Sequence, residues 1–362
     1  MSASATLWHP SMTAPESPPA ALAPHRAAAA KRAYTTRRVP DERMQHLLQD
    51  VAPQPGDLVL ARVARVGQHQ HIEQVSGRRA KLWQDDEIIV AYGNRYAPDQ
   101  FEAFVPEDLG PCDLVAGGGV AARVCSQHPA MKAATRIEPI GLLADHAGRR
   151  INLSDHALRL AAIEGPLPPV LAVVGCAMNA GKTTTAAGAI RGLSRNGMRV
   201  GAAKVTGTGS GGDRWAMVDA GAALVLDFTD AGHASTFGLT GTRLTQLLPL
   251  LISQLAAHRT DAIVLELSDG LFQQETATMI ESEAFARLVN GVLFAAGGAM
   301  GAKAGTDWLR ERGRPAMAVS GVVSASPLAR RETEAATGLP VLTLADLAAG
   351  EWCHAADSWF GV

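Results

Sequence analysis

The stretch VLAVVGCAMNAGKTTTAAGAIRGL, residues 170–193, decides the fold. An apolar run stops at Gly175, small residues fill a turn as far as Gly181, and Lys182-Thr183 opens an Ala-rich helical pattern. A buried strand, a glycine-bounded turn and a helix start would aim backbone N–H groups and the positive end of a helix dipole at a polyphosphate. The usual phosphate-loop pattern, G-x-x-x-x-G-K-[ST], is one residue shorter between its glycines than the spacing from Gly175 to Gly181. The expected cradle is Gly175, Cys176, Ala177, Met178, Asn179, Ala180 and Gly181, with Thr184 on the first helical turn. Lys182 would reach the β- and γ-phosphates of a nucleotide, and the Thr183 hydroxyl would ligate Mg²⁺. Cys176 reads either as redox-active or, more simply, as a small residue filling a tight turn.

Outward from this loop, apolar runs at 170–174, 200–205, 224–228, 262–267, 291–296, 316–323 and 341–344 alternate with helical patterns. The helical patterns fall at 183–196, 242–258, 276–289, 306–312 and 327–337. Continuous Val/Leu/Ile/Ala runs between helices predict an α/β domain over 171–362, with a mostly parallel, doubly wound P-loop NTPase-type sheet covered on both faces. Ligands in such sheets sit beyond the carboxyl ends of the strands, where the remaining chemistry falls.

Lys204 lies late in the run at 200–205, followed by a Gly/Thr/Ser-rich segment leading to Asp213 and Asp219. A lysine at such a strand end needs an anionic partner, because an unpaired buried charge is costly; the simpler alternative is a side chain snorkelling out of the strand. Thr206, Gly207, Thr208 and Gly209 suit close backbone approach to a substrate. Glu266 closes the run at 262–267, where a carboxylate near Mg²⁺ or its water is expected. Thr183, Asp213 and Glu266 are therefore the candidate metal set, with Asp219 as the alternative to Asp213, and Lys182 and Lys204 are the candidate catalytic cations. Asp269 and Gly270 follow in a loop that would touch substrate or simply cap a turn. Ser320 and Ser324, after the late strand, are candidates for holding a base. No N-K-x-D or T-K-x-D occurs, so ATP is the default nucleotide. The glycine-rich 295–305 reads as a substrate loop or a plain turn.

Gly175 to Thr183, KVTGTGSGG from Lys204 and VLELSDG around Glu266, in that order, resemble the dethiobiotin synthetase family of P-loop enzymes, whose loop also has five residues between its glycines. The resemblance covers roughly 165–345. It implies activation of a carboxylate or carbamate by ATP, followed by displacement of phosphate by an amine or another nucleophile. Leu267 where that family has glycine, and Val205-Thr206 where it has a prolyl-valine, imply a different substrate half. The loop and the ELSDGLF stretch are also similar to a P-loop-like family containing D-glutamate N-acyltransferases, which implies acetyl-CoA in place of ATP. A regulatory ATPase switch is the third reading.

The first half is different in texture. Residues 1–33 are rich in Ala, Pro and Ser and are expected to form a disordered or loosely docked arm. Short β-type runs at 56–66, 71–75, 86–96, 118–126 and 135–145 predict a smaller β-rich barrel or sandwich domain over 34–160. Clustered prolines at 161–170 read as a linker. The stretch YGNRYAPDQFEA, 92–103, reads as a substrate-contacting loop or, more blandly, as a solvated turn with aromatic anchors.

With 362 residues the chain can bury large cores unaided, and a formal charge of −2 gives no footprint for nucleic acid or anionic membrane. Its four cysteines show neither C-x-x-C nor zinc-like spacing with histidine. The expectation is a cytoplasmic enzyme with a small-molecule substrate, no nucleic acid, no membrane partner, and a homodimer left open.

Overall fold

A computed structural model describes residues 18–352; residues 1–17 of the expected arm, and everything from Cys353 on, lie outside the described residues. In the first half, the β-type runs form β1 (Leu58–Arg65), β2 (Glu87–Tyr92), β3 (Cys112–Ala116), β4 (Val120–Gln127) and β5 (Thr135–Ala144). Strand β1 pairs antiparallel with β2 and β5, β2 runs parallel to β4, and β3 bridges β4 and β5, so the pairing returns to its starting strand. Alternate side chains of a strand leave opposite faces. Leu58 and Leu60 accordingly join Ile89 and Leu143 in one cluster, while Val59, Ala61 and Val63 join Ile88 and Leu142 in another.

Part of the first of these clusters is covered by chain expected to be loose. Ala20–Ala21 pairs with His46–Leu48, Pro24–Ala29 is helical, and Lys31–Arg32 lies parallel to β2. Backbone ladders and the small side chains of this segment hold it against Val39, Met44 and Leu47, so from residue 20 it is ordered chain.

The second half contains, among the described residues, six parallel strands: β6 (Val170–Gly175), β7 (Val200–Thr206), β8 (Leu224–Asp227), β9 (Ala262–Leu267), β10 (Gly291–Ala295) and β11 (Ala318–Ser320). Their order is β8-β7-β9-β6-β10-β11. The helices are α1 (Lys182–Arg195), α2 (Gly212–Asp219), α3 (Gly241–Ala257), α4 (Gln274–Glu281), α5 (Glu283–Leu288), α6 (Ala299–Glu311), α7 (Pro327–Thr337) and α8 (Leu344–Ala349). Val170, Ala172 and Val174 of β6 pack on α3 to α6, while Leu171 and Val173 pack on α1 and α8. The doubly wound reading of the sequence describes this sheet. The chain moves from β6 to one side, through β7 and β8, and after β9 crosses to the other. That reversal opens a crevice at the carboxyl ends of β6, β7 and β9.

Local departures have physical reasons. The run at 341–344 is no full strand: Val341 makes a single parallel bridge to Val319, and Leu344 starts α8 behind the capping box of Thr343 and Asp346. The pattern at 276–289 breaks at Ser282, whose hydroxyl accepts from the Phe285 N–H and starts α5. The glycine-rich 295–305 is mostly α6, because Gly305 lets the helix lie directly on the ring of Phe294; a Cβ there would fall on the ring. Helix α2 has little apolar periodicity; Met217 anchors it in the core of the second half, and Trp215 Nε1 donates to Glu73 of the first.

Candidate functional site

Gly175 ends β6 and Gly181, at φ +96°, caps α1. Asn179 is also left-handed, at φ +59°. The loop is buttressed from β11: a Cβ on Gly181 would lie 2.8 Å from the Gly321 Cα, and a Cβ on Gly321, itself at φ +90°, would fall on the Ala180 carbonyl. The extra residue therefore sits in a closed turn that still delivers Lys182 and Thr183 to the crevice.

Lys182 is 6 % exposed and donates to the Ala177 carbonyl at 2.8 Å. Burial lowers its pKa, opposed by the charges of Glu266 and Asp269. The Thr183 hydroxyl lies 2.8 Å from Glu266 Oε1 and 3.0 Å from Asp213 Oδ1, donating to one at a time. Lys204 stands opposite Glu266 in the β7–β9 register and pairs with Asp213 Oδ2. Glu266 is 1 % exposed, and its Oε2 has no hydrogen-bond partner among the described residues.

These groups line one cavity of about 500 Å³, with Asn179, Gly181, Thr184, Gly207, Thr208, Ser210, Ser268 and Asp269. Asp269 is pushed up from the ordinary carboxylate range by burial, against the pull of Lys182, Lys204 and Arg95. A hydroxyl and two carboxylates, one with an unused buried oxygen, are the hard oxygen donors that suit Mg²⁺. Among the described residues no group of three or more His, Cys, Asp or Glu could hold a metal. Such an ion would therefore share its coordination with phosphate oxygens and water.

Asp213 and Asp219 are separated by this geometry. Asp213 opens α2 on the cavity wall, whereas Asp219 ends the helix, exposed and off that wall. The Gly-rich segment serves two purposes. Gly207, Thr208 and Ser210 face the cavity, but Thr206 is buried with its hydroxyl on the Ser268 carbonyl. The N–H of Gly209 donates to the Ala234 carbonyl at 2.8 Å, and Gly209 packs tightly on Thr35. Ser320 and Ser324 are also off the cavity wall: their hydroxyls donate to the carbonyls of Leu342 and Gly321, both at 2.8 Å. Gly270 packs on the Cys176 carbonyl, and both line a neighbouring cavity of about 370 Å³ with His128 and Phe272.

The first half completes the wall. Arg95, Tyr96 and Ala97 line the main cavity. Arg95 and Tyr96 pair with Glu102 and Ala103 in a hairpin laid over the phosphate-type loop, where Asn179 Nδ2 donates to Asp99 Oδ2 at 2.9 Å. The rings of Tyr96 and Phe104 stack at 5.4 and 5.6 Å on Phe237. The stretch 92–103 is thus a hairpin on the cavity wall with Arg95 buried, anchored by its aromatic rings and not a solvated turn. Ser268 gave no sequence signal; Ser210 lay within the Gly/Thr/Ser-rich segment, and Arg95 is a cation flanked by aromatic anchors.

A buried network ties the halves together behind the site. Tyr34 donates to Asp227, Arg37 pairs with Asp230 at 2.6 Å and Asp227 at 3.2 Å, and Glu73 accepts from the Gly211 N–H at 2.7 Å and Trp215 Nε1 at 3.0 Å. Asp227 is held below the ordinary carboxylate range: burial would raise it, and Arg37 together with the Thr229 and Tyr34 hydrogen bonds overcomes that. Among the described residues, no helix is long and apolar enough to cross a membrane.

No family model and no curated protein matches this chain. Solved structures similar to it include the signal recognition particle 54 kDa protein from Aeropyrum pernix K1 in complex with GDP, at 18% identity and TM-score 0.37, over 51% of this chain and 44% of that one. Chloroplast FtsY from Physcomitrella patens aligns at 16% identity and TM-score 0.36, over 52% and 62%. The signal recognition particle receptor FtsY from Elizabethkingia anophelis aligns at 16% and 0.34, over 55% and 66%. The chain thus spans less than two thirds of the length of each. Alignments at this level say nothing of this chain's ligand or activity.

Proposed function

We propose that the crevice binds MgATP and transfers its terminal phosphoryl group to a small anionic substrate, in preparation for ligation to an amine or another nucleophile. The observation that supports this best is the convergence of Lys182, Thr183, Lys204, Asp213 and Glu266 on one cavity at the carboxyl ends of three adjacent strands. Backbone N–H groups of the loop and the start of α1 cradle the phosphates. Lys182 exchanges its Ala177 carbonyl for phosphate oxygens, and Lys204, released from Asp213, faces the charge that develops on the transferred group. Thr183, Asp213 and Glu266 would hold Mg²⁺ directly or through water, and the ion would supply neutralisation of the charge that develops on the phosphate oxygens.

A substrate carboxylate oxygen attacks the γ-phosphorus as the bond to the ADP oxygen breaks, giving an acyl phosphate and ADP. An amine nitrogen then forms a bond to the acyl carbon, inorganic phosphate leaves, and the amine proton passes to solvent. An acyl-CoA transfer reading leaves the carboxylates around Thr183 without a task, which favours the ATP reading. The test is ADP release from MgATP, measured while a panel of small carboxylic acids and amines is varied. ADP formation that rises with one carboxylate supports the proposal; acyl transfer from acetyl-CoA with no ADP formed overturns it.

A further inference from the structure

The residue that demands an account is Arg95. It is only 9 % exposed, and among the described residues its Nε has no hydrogen-bond partner and its one side-chain bond is from Nη2 to Gln100 Oε1 at 2.9 Å. A guanidinium carries five donors in a rigid fork, and burying it without a paired carboxylate is costly unless something else compensates. Gln100 is neutral and no described residue forms a salt bridge with Arg95, so the charge faces the cavity it lines. Asp269 and Asp99 act on it only at longer range, and burial outweighs them, lowering its pKa to about 10. Its position is also fixed: the hairpin that carries it is clamped by Asn179–Asp99 and by the Phe237 ring contacts.

The hairpin that carries Arg95 lies over the phosphate-type loop, and the charge of Asp269 acts on both Arg95 and Lys182. We infer that Arg95 is the anchor for a carboxylate of the acceptor substrate, held between the two halves of the chain. A planar fork and a planar carboxylate match in two parallel hydrogen bonds, which a lysine cannot supply. The acceptor class is then a small molecule with at least two anionic groups, one at Arg95 and one presented to the phosphoryl group. This rests on the proposed function for the identity of the second ligand, but the anion site itself can be tested without nucleotide.

The experiment titrates acetate, succinate, glutarate and glutamate against the full chain, with and without MgATP, following the thermal midpoint and calorimetric affinity of the natural protein, Arg95→Gln and Arg95→Lys. The expected result is a rise in midpoint with a dicarboxylate, abolished in R95Q, weakened at least tenfold in R95K, with nucleotide affinity changed less than twofold in both. Without any anion, R95Q is expected to melt no lower than the natural protein, since it removes an unpaired buried charge; a merely structural arginine would lower the midpoint. The inference is overturned if no carboxylate shifts the natural protein, if R95Q keeps the shift, or if R95Q loses nucleotide affinity tenfold. Failure of MgATP to bind the natural protein, with the dicarboxylate shift intact and dependent on Arg95, would sink the proposed function alone.

Discussion

Thr183 has one hydroxyl hydrogen and two carboxylate oxygens within 3.0 Å, so one of those two oxygens always lacks that donor. A divalent cation would occupy that oxygen and the unused Oε2 of Glu266. Glu266→Gln is accordingly expected to keep the fold and to lower Mg²⁺-dependent nucleotide affinity at least tenfold, about 1.4 kcal/mol, in calorimetry with and without Mg²⁺. Lys182→Ala is expected to lower ATP-dependent turnover by roughly 10²–10³-fold, about 3–4 kcal/mol of barrier, because its role lies in charge stabilisation within a water-poor site. Turnover of K182A within a factor of a few of the natural protein would refute that role. Lys204 and Glu266 were legible in the sequence because a charge late in an apolar run has few structural explanations, and Lys182 and Thr183 because Gly-Lys-Thr stands between a strand and a helix. Ser320 and Ser324 were not, since a hydroxyl on a strand end can equally satisfy a backbone carbonyl, as both do.

At the scale of elements, the phosphate-type loop depends on the turn after β11 as much as on its own glycines. Gly321→Ala forces a left-handed φ on alanine and a Cβ onto the Ala180 carbonyl. It is expected to cost about 1–3 kcal/mol of stability, seen as a lower midpoint in chemical unfolding, and to weaken nucleotide binding because the loop must shift. Unchanged affinity would mean that the loop is held from elsewhere. The parallel strands were legible because each is a continuous apolar run with a helix behind it. The Gly-rich start of α2 was not, because its order comes from contacts made far away in sequence, with Glu73 and Thr35. The hairpin at 95–104 escaped for the same reason: its partners, Asn179 and Phe237, lie in the other half.

For the whole molecule, the buried ionic network joins the two halves, and they are expected to unfold as one cooperative body. Removing one partner of a buried pair is destabilising, so Arg37→Ala, which leaves Asp227 to its hydrogen bonds from Tyr34 and Thr229 and Asp230 to Arg38 and Arg214 at 3.6 Å, is expected to cost about 3 kcal/mol. A calorimetric scan should show one transition in the natural protein and an earlier or split one in R37A. Acid acts on the same body through two buried imidazoles. Burial lowers His69 and His233 from 6.5 to about 4. Between those values the unfolded chain binds protons that the folded chain refuses, so stability falls as pH drops from 6.5 toward 4, by up to about 3 kcal/mol per histidine. Unfolding midpoints measured across that window would show the slope, and a flat profile would contradict it. The change of texture between the two halves stands in the sequence; their mutual burial does not, since no local pattern records a contact between Tyr34 and Asp227.

The central claim is that the loop from Gly175 to Thr183 holds a metal–nucleotide rather than an acyl carrier. Calorimetric titration of the natural protein and Lys182→Ala with a non-hydrolysable ATP analogue plus Mg²⁺, and separately with acetyl-CoA, tests it most directly. The account predicts Mg²⁺-dependent binding of the analogue that K182A loses. Binding of acetyl-CoA without any binding of the analogue would contradict it.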